Sequence, residues 1–511
     1  MPDRNPVLAT PVGGSEGRIA VIDVGSNSLR LVVFERLGAT LVPLLNEKVM
    51  GALGRGIAAT GRLNPEGIDL ALANLQRFVA LARALGVDRP AILATAAVRD
   101  ASDGAAFAAA AERDCGVPMQ IIAGSEEARL SAAGVLAGIR EPDGIVADLG
   151  GGSVELVRVN AAAKATIGTG VSLPLGPLRL AEFGDNRRAI VETIDRAVGG
   201  APVLRGTAGK SLYLVGGAWR AIARLHMEQS RYPLHIIHEY TIARRAAEGF
   251  LDIIAGQSRR SLERITTISR KRLDVVPLAA TILRRLLAAG RPERIVFSAF
   301  GLREGYAYGL LPDDPGTDPL IAACIGIAES QSRWRTDGDR LQRWVAPAFP
   351  GIDDNTRRLH RATCWLSDFA WSEHPDYRAG HAFTRSLTLP VAQIGHRERV
   401  YLATALHARY GGPPEDTAKA PTRVLLDDAA ANEARCLGLA LRLAYTLSGG
   451  ALELLNLVRL SREPGALVLE LPPSGNLFIG EAVQRRLDAL ARALGITART
   501  ERRREPQRAL A

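Results

Sequence analysis

Cysteine is scarce in this chain: Cys115, Cys324, Cys364 and Cys436 lie far apart and form no CxxC pair. That spacing excludes a disulfide framework and a thiolate zinc site. No run of about 18 uninterrupted apolar residues occurs, and the opening MPDRNPVLATPVGGSEGR lacks the apolar centre of an export signal. The expected location is the cytoplasm, with no membrane partner. Aromatic residues make up only 5%, too little stacking surface for single-stranded nucleic acid, so no nucleic-acid partner is expected. Lysine is rare as well, at five of the 64 basic residues.

What is abundant is arginine. The formal charge of +10 favours a polyanionic partner, and guanidinium grips phosphate through a bidentate fork. An Ala- and Arg-rich composition equally fits biased codon usage, so composition alone leaves the partner open. The 511 residues, 47% of them apolar, exceed one core and imply several globular domains.

Two stretches repeat one design 125 residues apart: IDVGSNSLRLVVF from Ile22 and ADLGGGSVELVRV from Ala147. Each is an apolar strand ending in Asp, a loop of small polar residues and a second strand. The register matches Asp23 with Asp148, Gly25 with Gly150, Ser28 with Ser153 and Arg30 with Glu155, which suggests duplication. Around the first hairpin the pattern reads β-β-β-α-β-α-β-α, with a helix from Asn64 as N-cap to Leu85, and helices near 103–113 and 125–139. From Gly144 it restarts, with strands at 164–169, 212–215 and 294–298 and a helix at 188–198. Two related α/β halves would set their turns across a cleft. Beyond DDPGTDP, strand signals mostly vanish and helical spacing dominates, with strands expected only at 454–460 and 466–471. The expected division is a flexible leader (1–17), two α/β domains (18–140 and 141–312), a mainly helical domain (319–498) and a frayed basic tail (499–511).

A small-residue loop between two strands is not a Rossmann or P-loop fingerprint. It would bend around a phosphate with its backbone N–H groups forming a nest. The candidate phosphate loops are Gly25, Ser26, Asn27 and Ser28, and Gly150, Gly151, Gly152 and Ser153. Glu127 sits in the first turn of a helix, where it is either a general base or an acid favoured by the helix dipole. Asp148 and Glu155 are hard oxygen donors suited to a hydrated Mg²⁺, although other divalent ions fit, with Asp23 as the matching acid. Asp23 and Asp148 could instead hold their own turns. Arg99 by itself is a surface arginine at a strand end.

The doubled hairpins resemble the phosphate loops of the actin-like ATPase superfamily. With ATAAVRD (94–100), GSEEARLSAAGV (124–135), DLGGGSVEL (148–156), VGGAWRAIA (215–223) and FGLREG (300–305), the chain resembles the exopolyphosphatase and guanosine pentaphosphatase family. The resemblance implies two actin-like (ribonuclease H-like) domains with an interdomain cleft and a mainly α-helical, HD-like C-terminal domain. It implies a Mg²⁺-dependent homodimer that removes terminal orthophosphate from inorganic polyphosphate, or converts guanosine pentaphosphate (pppGpp) to the tetraphosphate. Glu127 becomes the catalytic glutamate and Arg99 the phosphate-facing arginine. A non-catalytic polyphosphate or nucleotide sensor is the contrasting expectation.

Gly216-Gly217 resembles the superfamily's third loop, and Trp219 beside it is expected to pack rather than stack on a base. Arg259, Arg260, Arg264, Arg270, Lys271 and Arg272 form a candidate polyanion channel. His360, Asp368, His374 and His381 are similar to the metal site of HD phosphohydrolases, but Ser367-Asp368 stands where a His-Asp doublet is needed, so a second metal site is not expected.

Overall fold

The computed structural model describes residues 17–37, 40–161, 165–184, 186–262, 273–311, 318–334, 336–474, 478 and 480–503. The chain folds into two compact units, one made of residues up to 314 apart from 37–39, the other of 37–39 and 315 onward.

In the first unit, β1 (Arg18–Val24), β2 (Ser28–Leu37), β3 (Thr40–Met50), β4 (Ala91–Ala94) and β5 (Met119–Ile121) form a sheet in the order β3-β2-β1-β4-β5. The second sheet comprises β6 (Asp143–Leu149), β7 (Val154–Asn160), β8 (Thr166–Ile167), β9 (Val171–Leu173), β10 (Ser211–Val215), β11 (Tyr240–Ala243) and β12 (Arg294–Phe297). Its order is β11-β12-β10-β6-β7-β8, with β9 also on β7. In both sheets an antiparallel hairpin, β1/β2 or β6/β7, is followed by parallel pairing, β1/β4 or β6/β10.

Alternation along the strands decides what each face meets. In β1, Ala20, Ile22 and Val24 join an outer core with Leu75 and Phe78 of helix Pro65–Ala84. Ile19 and Val21 point to the other face, against Leu130, Leu302 and Tyr306. In the second sheet, Ile145, Ala147 and Leu149 face outward to helices such as Val276–Gly290, while Val146, Val157 and Val159 face Ala128, Ala132 and Val135. Helix Gly124–Gly138 is thus apolar on both sides because it lies between the inner faces of the two sheets. Helix Leu302–Tyr308 packs on it backbone to backbone: a β-carbon at Gly134 would stand 2.2 Å from the Gly301 carbonyl, and one at Gly305 1.9 Å from that of Leu130.

The second unit is mainly helical. Asp318 caps helix Pro319–Gln331 by accepting from the Leu320 and Ile321 N–H groups, and helix His396–Arg409 is buried on every side. Three strands, β13 (Arg459–Glu463), β14 (Ala466–Leu471) and β15 (Thr497–Arg502), complete it. Several expectations change here. Residues 452–457 form a 3₁₀ turn, and the strand begins only at Arg459. Part of the expected basic tail is a strand: Thr497–Arg502 pairs in parallel with β14. The ladder uses backbone groups, so the exposed charges of Arg499 and Glu501 do not oppose it, and Arg499 pairs with Glu463. Residues 504–511 and the linker 312–317 lie outside the described residues. The strand expected at 164–169 is described only at Thr166–Ile167, and β11 had no signal. All four cysteines are buried free thiols. Among the described residues no helix is long and apolar enough to cross a membrane.

Candidate active site

Strand periodicity aims the polar residues. Asp148 and Glu155 are cross-strand partners on the β6/β7 face that looks at helix Gly124–Gly138, whose first turn carries Glu127. Asp23 and Arg30 are partners on the corresponding face of β1/β2, towards helix Leu302–Tyr308, which carries Arg303. The hairpins close alike: Gly25 N–H donates to the Ser28 carbonyl (3.1 Å) and Gly150 N–H to that of Ser153 (3.0 Å). Their tips nearly touch, since a β-carbon at Gly151 would lie 3.0 Å from the Ser26 β-carbon. Gly216 starts the third edge at φ 117°, which brings its α-carbon against β6: a side chain there would meet the Leu149 carbonyl at 2.5 Å. Gly25–Ser28, Gly150–Ser153, Gly216 and Gly217 all line one cleft with Asp23, Asp148 and Glu127.

The acids crowd one another. Glu127 is 7% exposed, and its Oε2 accepts from Arg99 Nη1 at 3.1 Å. Burial, and then the charges of Glu155 and Asp148, push its carboxyl well above the usual range, with the Arg99 bond opposing. Burial first, with Asp148 adding, raises Glu155 to about 7. Burial also raises Asp148 and Asp23, against which Ser131 and Arg303 respectively work. Ser131, one turn beyond Glu127, donates to Asp148 Oδ2, and Ser172 on β9 donates to Glu155 Oε1 at 2.8 Å. The buried Ser153 hydroxyl lies beside Glu155 and counters the rise in its proton affinity, without making a well-formed hydrogen bond.

That arrangement suits a divalent cation. Glu127, Glu155 and Asp148 are buried carboxyls that repel one another, and a cation would relieve that repulsion. No three His, Cys, Asp or Glu side chains among the described residues stand close enough together to hold a metal ion. Mg²⁺ does not need three, because it is usually held by one or two carboxylates together with water and substrate phosphate.

Arg99 does not line the open cleft. It sits behind Glu127 in the short helix Ala96–Asp100, also bonding the Ile122 carbonyl and Asp100. Glu155, too, lies beneath the surface rather than on it. Trp219 is fully buried, donating to the Ala279 carbonyl.

Four cleft cations carried no role in the sequence reading: Arg30, Lys48, Arg220 and Arg303. Three of them lie inside quoted motifs, so position within a motif was the available signal. Lys48 had none beyond the rarity of lysine.

Of the expected polyanion channel, Arg264, Arg270, Lys271 and Arg272 lie outside the described residues. Arg259 and Arg260 open a short helix whose side chains at those two positions are not described.

The four HD-like residues have separate partners. Asp368 is bound by the Arg333 backbone and guanidinium, and His360 bonds Tyr401 and Glu433. His374 and His381 sit at the surface beside Asp376 and Glu373.

Two α/β lobes that share a central helix, with duplicated hairpins meeting over buried carboxylates, define an actin-like fold organised around a cleft lined by acids and cations together. Residues 31–314 match the model of the Ppx/GppA phosphatase family, and residues 320–500 match that described as exopolyphosphatase, C-terminal. The chain belongs to the Ppx/GppA phosphatase family and is a hydrolase. It is 27% identical over 321 residues to Exopolyphosphatase 2 of Mycobacterium tuberculosis, a match covering 57% of this chain and 98% of that protein. An exopolyphosphatase from Cytophaga hutchinsonii, solved by crystallography, superposes with a TM-score of 0.52 at 23% identity, over 57% of this chain and 97% of that one.

Proposed function

We propose that this protein is an exopolyphosphatase, which removes terminal orthophosphate from inorganic polyphosphate with the help of a divalent ion such as Mg²⁺. The observation that carries the reading is the juxtaposition in one cleft of two small-residue hairpin loops, a buried glutamate and four cations. No aromatic side chain is among the described lining residues. The inorganic chain is favoured over the guanosine substrate by the likeness to Exopolyphosphatase 2 of Mycobacterium tuberculosis and by the match of the second unit to the exopolyphosphatase C-terminal model.

The N–H groups of Gly25 and Gly150 close their own turns, and those of Ser26, Asn27, Gly151 and Gly152 would take the terminal phosphate. Glu127 Oε2 is occupied by Arg99, leaving Oε1 to accept a proton from the attacking water. The water oxygen bonds to phosphorus, the bridging P–O bond breaks, and the shortened chain leaves with the bridging oxygen's negative charge. The raised proton affinity of Glu127 makes it a stronger base than an exposed carboxylate. Asp148 would hold the divalent ion together with water and substrate phosphate, with the charges of Glu155 beneath and Asp23 across adding to its attraction, and the ion would offset charge on the phosphate oxygens.

Orthophosphate release should be followed with Mg²⁺ on long-chain polyphosphate and guanosine pentaphosphate side by side. Wild type is expected to turn over polyphosphate faster, and Glu127→Gln to lose roughly 10²- to 10⁴-fold in kcat. Release from neither substrate, with polyphosphate still bound, would leave a sensor. Preference for the nucleotide would transfer the assignment to the pentaphosphatase reaction.

A further inference from the structure

A line of ion pairs reaches Glu127 from the second lobe without passing through the cleft. It starts at helix Pro177–Leu180, which follows β9 and lies on the tip of the second hairpin. Leu178 N–H donates to the Gly151 carbonyl at 3.0 Å, and a β-carbon at Gly176 would stand 2.1 Å from that same oxygen. The helix start and the hairpin tip are thus packed backbone on backbone, with no room for one to shift without the other. From this helix Arg179 reaches the first lobe, where its Nη2 donates to Asp100 Oδ2 at 2.8 Å. Asp100 is the last residue of helix Ala96–Asp100, and its Oδ1 accepts from Arg99 Nε at 3.3 Å. Arg99 Nη1 in turn donates to Glu127 Oε2 at 3.1 Å and to the Ile122 carbonyl at 3.2 Å.

Adjacent residues of a helix do not face each other, so helical spacing alone does not bring Asp100 to Arg99. The shorter bond from Arg179 holds the Asp100 carboxylate between the two guanidinium groups. A guanidinium is planar, so bonds at Nε and Nη1 together fix its orientation. Without the bond at Nε, Arg99 can turn about its contacts with Ile122 and Glu127. The Arg179 and Asp100 side chains are 32% and 34% exposed, and ion pairs that open to water contribute little to stability. Their effect is to be sought in the orientation of Arg99.

We propose that Asp100 is a positioning residue for the hydrolysis: through Arg99 it holds Glu127 Oε2 so that Oε1 faces the attacking water, and through Arg179 it ties that hold to the second hairpin. The proposal rests on the reading of Glu127 as the base, whichever phosphate anhydride is the substrate. A phosphate that settles on Gly151 and Gly152 steadies helix Pro177–Leu180, and with it Arg179, Asp100 and Arg99. The base is then held most firmly when the loop is filled.

The test is steady-state kinetics of the full chain with Mg²⁺, on whichever of long-chain polyphosphate and guanosine pentaphosphate the wild type turns over. The variants are Asp100→Asn, Asp100→Glu, Arg179→Met and the double variant Asp100→Asn/Arg179→Met, with thermal melts of each and a crystal structure of Asp100→Asn. Asp100→Asn keeps the volume and loses the charge, and is expected to lower kcat roughly 10-fold with KM nearly unchanged. Its Tm should stay within about 2 °C of wild type, and its structure should show Arg99 turned away from Glu127. Asp100→Glu restores the charge and should recover part of the lost kcat. Arg179→Met should lower kcat in the same sense, and the double variant should be no slower than Asp100→Asn alone, because both break one line of contacts. A raised KM with unchanged kcat in Arg179→Met, or losses that multiply in the double variant, would mean that Arg179 acts on substrate by itself and would overturn the coupling. Wild-type kcat in Asp100→Asn, or a structure that keeps Arg99 on Glu127 Oε2, overturns the positioning role. If wild type releases orthophosphate from neither substrate, the exopolyphosphatase reading falls and the Asp100→Asn structure alone decides: Arg99 displaced upholds the hold on Glu127, and Arg99 unmoved overturns it.

Discussion

Glu155 shows how a single residue trades stability for chemistry. Its carboxyl holds a proton up to about pH 7 in the folded protein but releases it near 4.5 when unfolded. The folded state therefore binds more protons across that window, and stability falls as pH rises from 4.5 to 7. The full difference corresponds to about 3 kcal/mol. Glu155→Gln, which stays neutral and keeps its volume, is expected to raise the Tm of metal-free protein at pH 8, to leave it nearly unchanged at pH 4, and to suppress activity. Thermal melts in a chelator at both pH values check this. A variant less stable than wild type at pH 8 would mean that the carboxylate is already neutralised within the fold. Glu127, Asp148 and Glu155 were legible in the sequence because each sits at a fixed offset in a motif. Lys48 was not, since its place in the cleft depends on β3 pairing beyond β2, a fact of sheet order that local pattern does not contain.

At the scale of elements, the contact between helices Gly124–Gly138 and Leu302–Tyr308 sets the distance between Glu127 and Arg303. It is a close approach of two backbones with no room for a methyl group. Gly305→Ala would put a β-carbon 1.9 Å from the Leu130 carbonyl. We expect destabilisation of at least 1–3 kcal/mol, the usual range for overpacking, and a loss of kcat larger than the fraction unfolded explains, because both helices must separate. Gly249→Ala is the contrast: it lies inside helix Arg244–Ala255, where an added β-carbon meets nothing within 4 Å. It should stabilise by about 0.5–1 kcal/mol with activity intact. Denaturant unfolding beside initial rates separates the two cases. The sequence showed helix Gly124–Gly138 within a residue at each end, because helical spacing is local. It did not show the helix as the shared wall of two sheets. β15 was missed for a similar reason: RTER has charge where a strand usually has apolar residues, and only the unpaired edge of β14 makes it a strand.

For the molecule as a whole, the duplicated hairpin was enough to reveal two related lobes and a cleft, since a repeat in register constrains the fold globally. The net charge of +10 was legible too, but its meaning depended on where the charge is concentrated. Four cations in one cleft imply that binding a phosphate chain displaces its condensed counterions, so affinity should fall as salt rises. KM for long-chain polyphosphate is expected to climb with potassium chloride along a straight log–log line, more steeply than KM for pyrophosphate, which reaches fewer cations. Lys48→Met should flatten the long-chain slope by about one unit and leave the pyrophosphate slope unchanged. Equal slopes for both substrates would place the polyanion's affinity in diffuse surface charge, and the cleft would then contribute only the chemistry at the chain end.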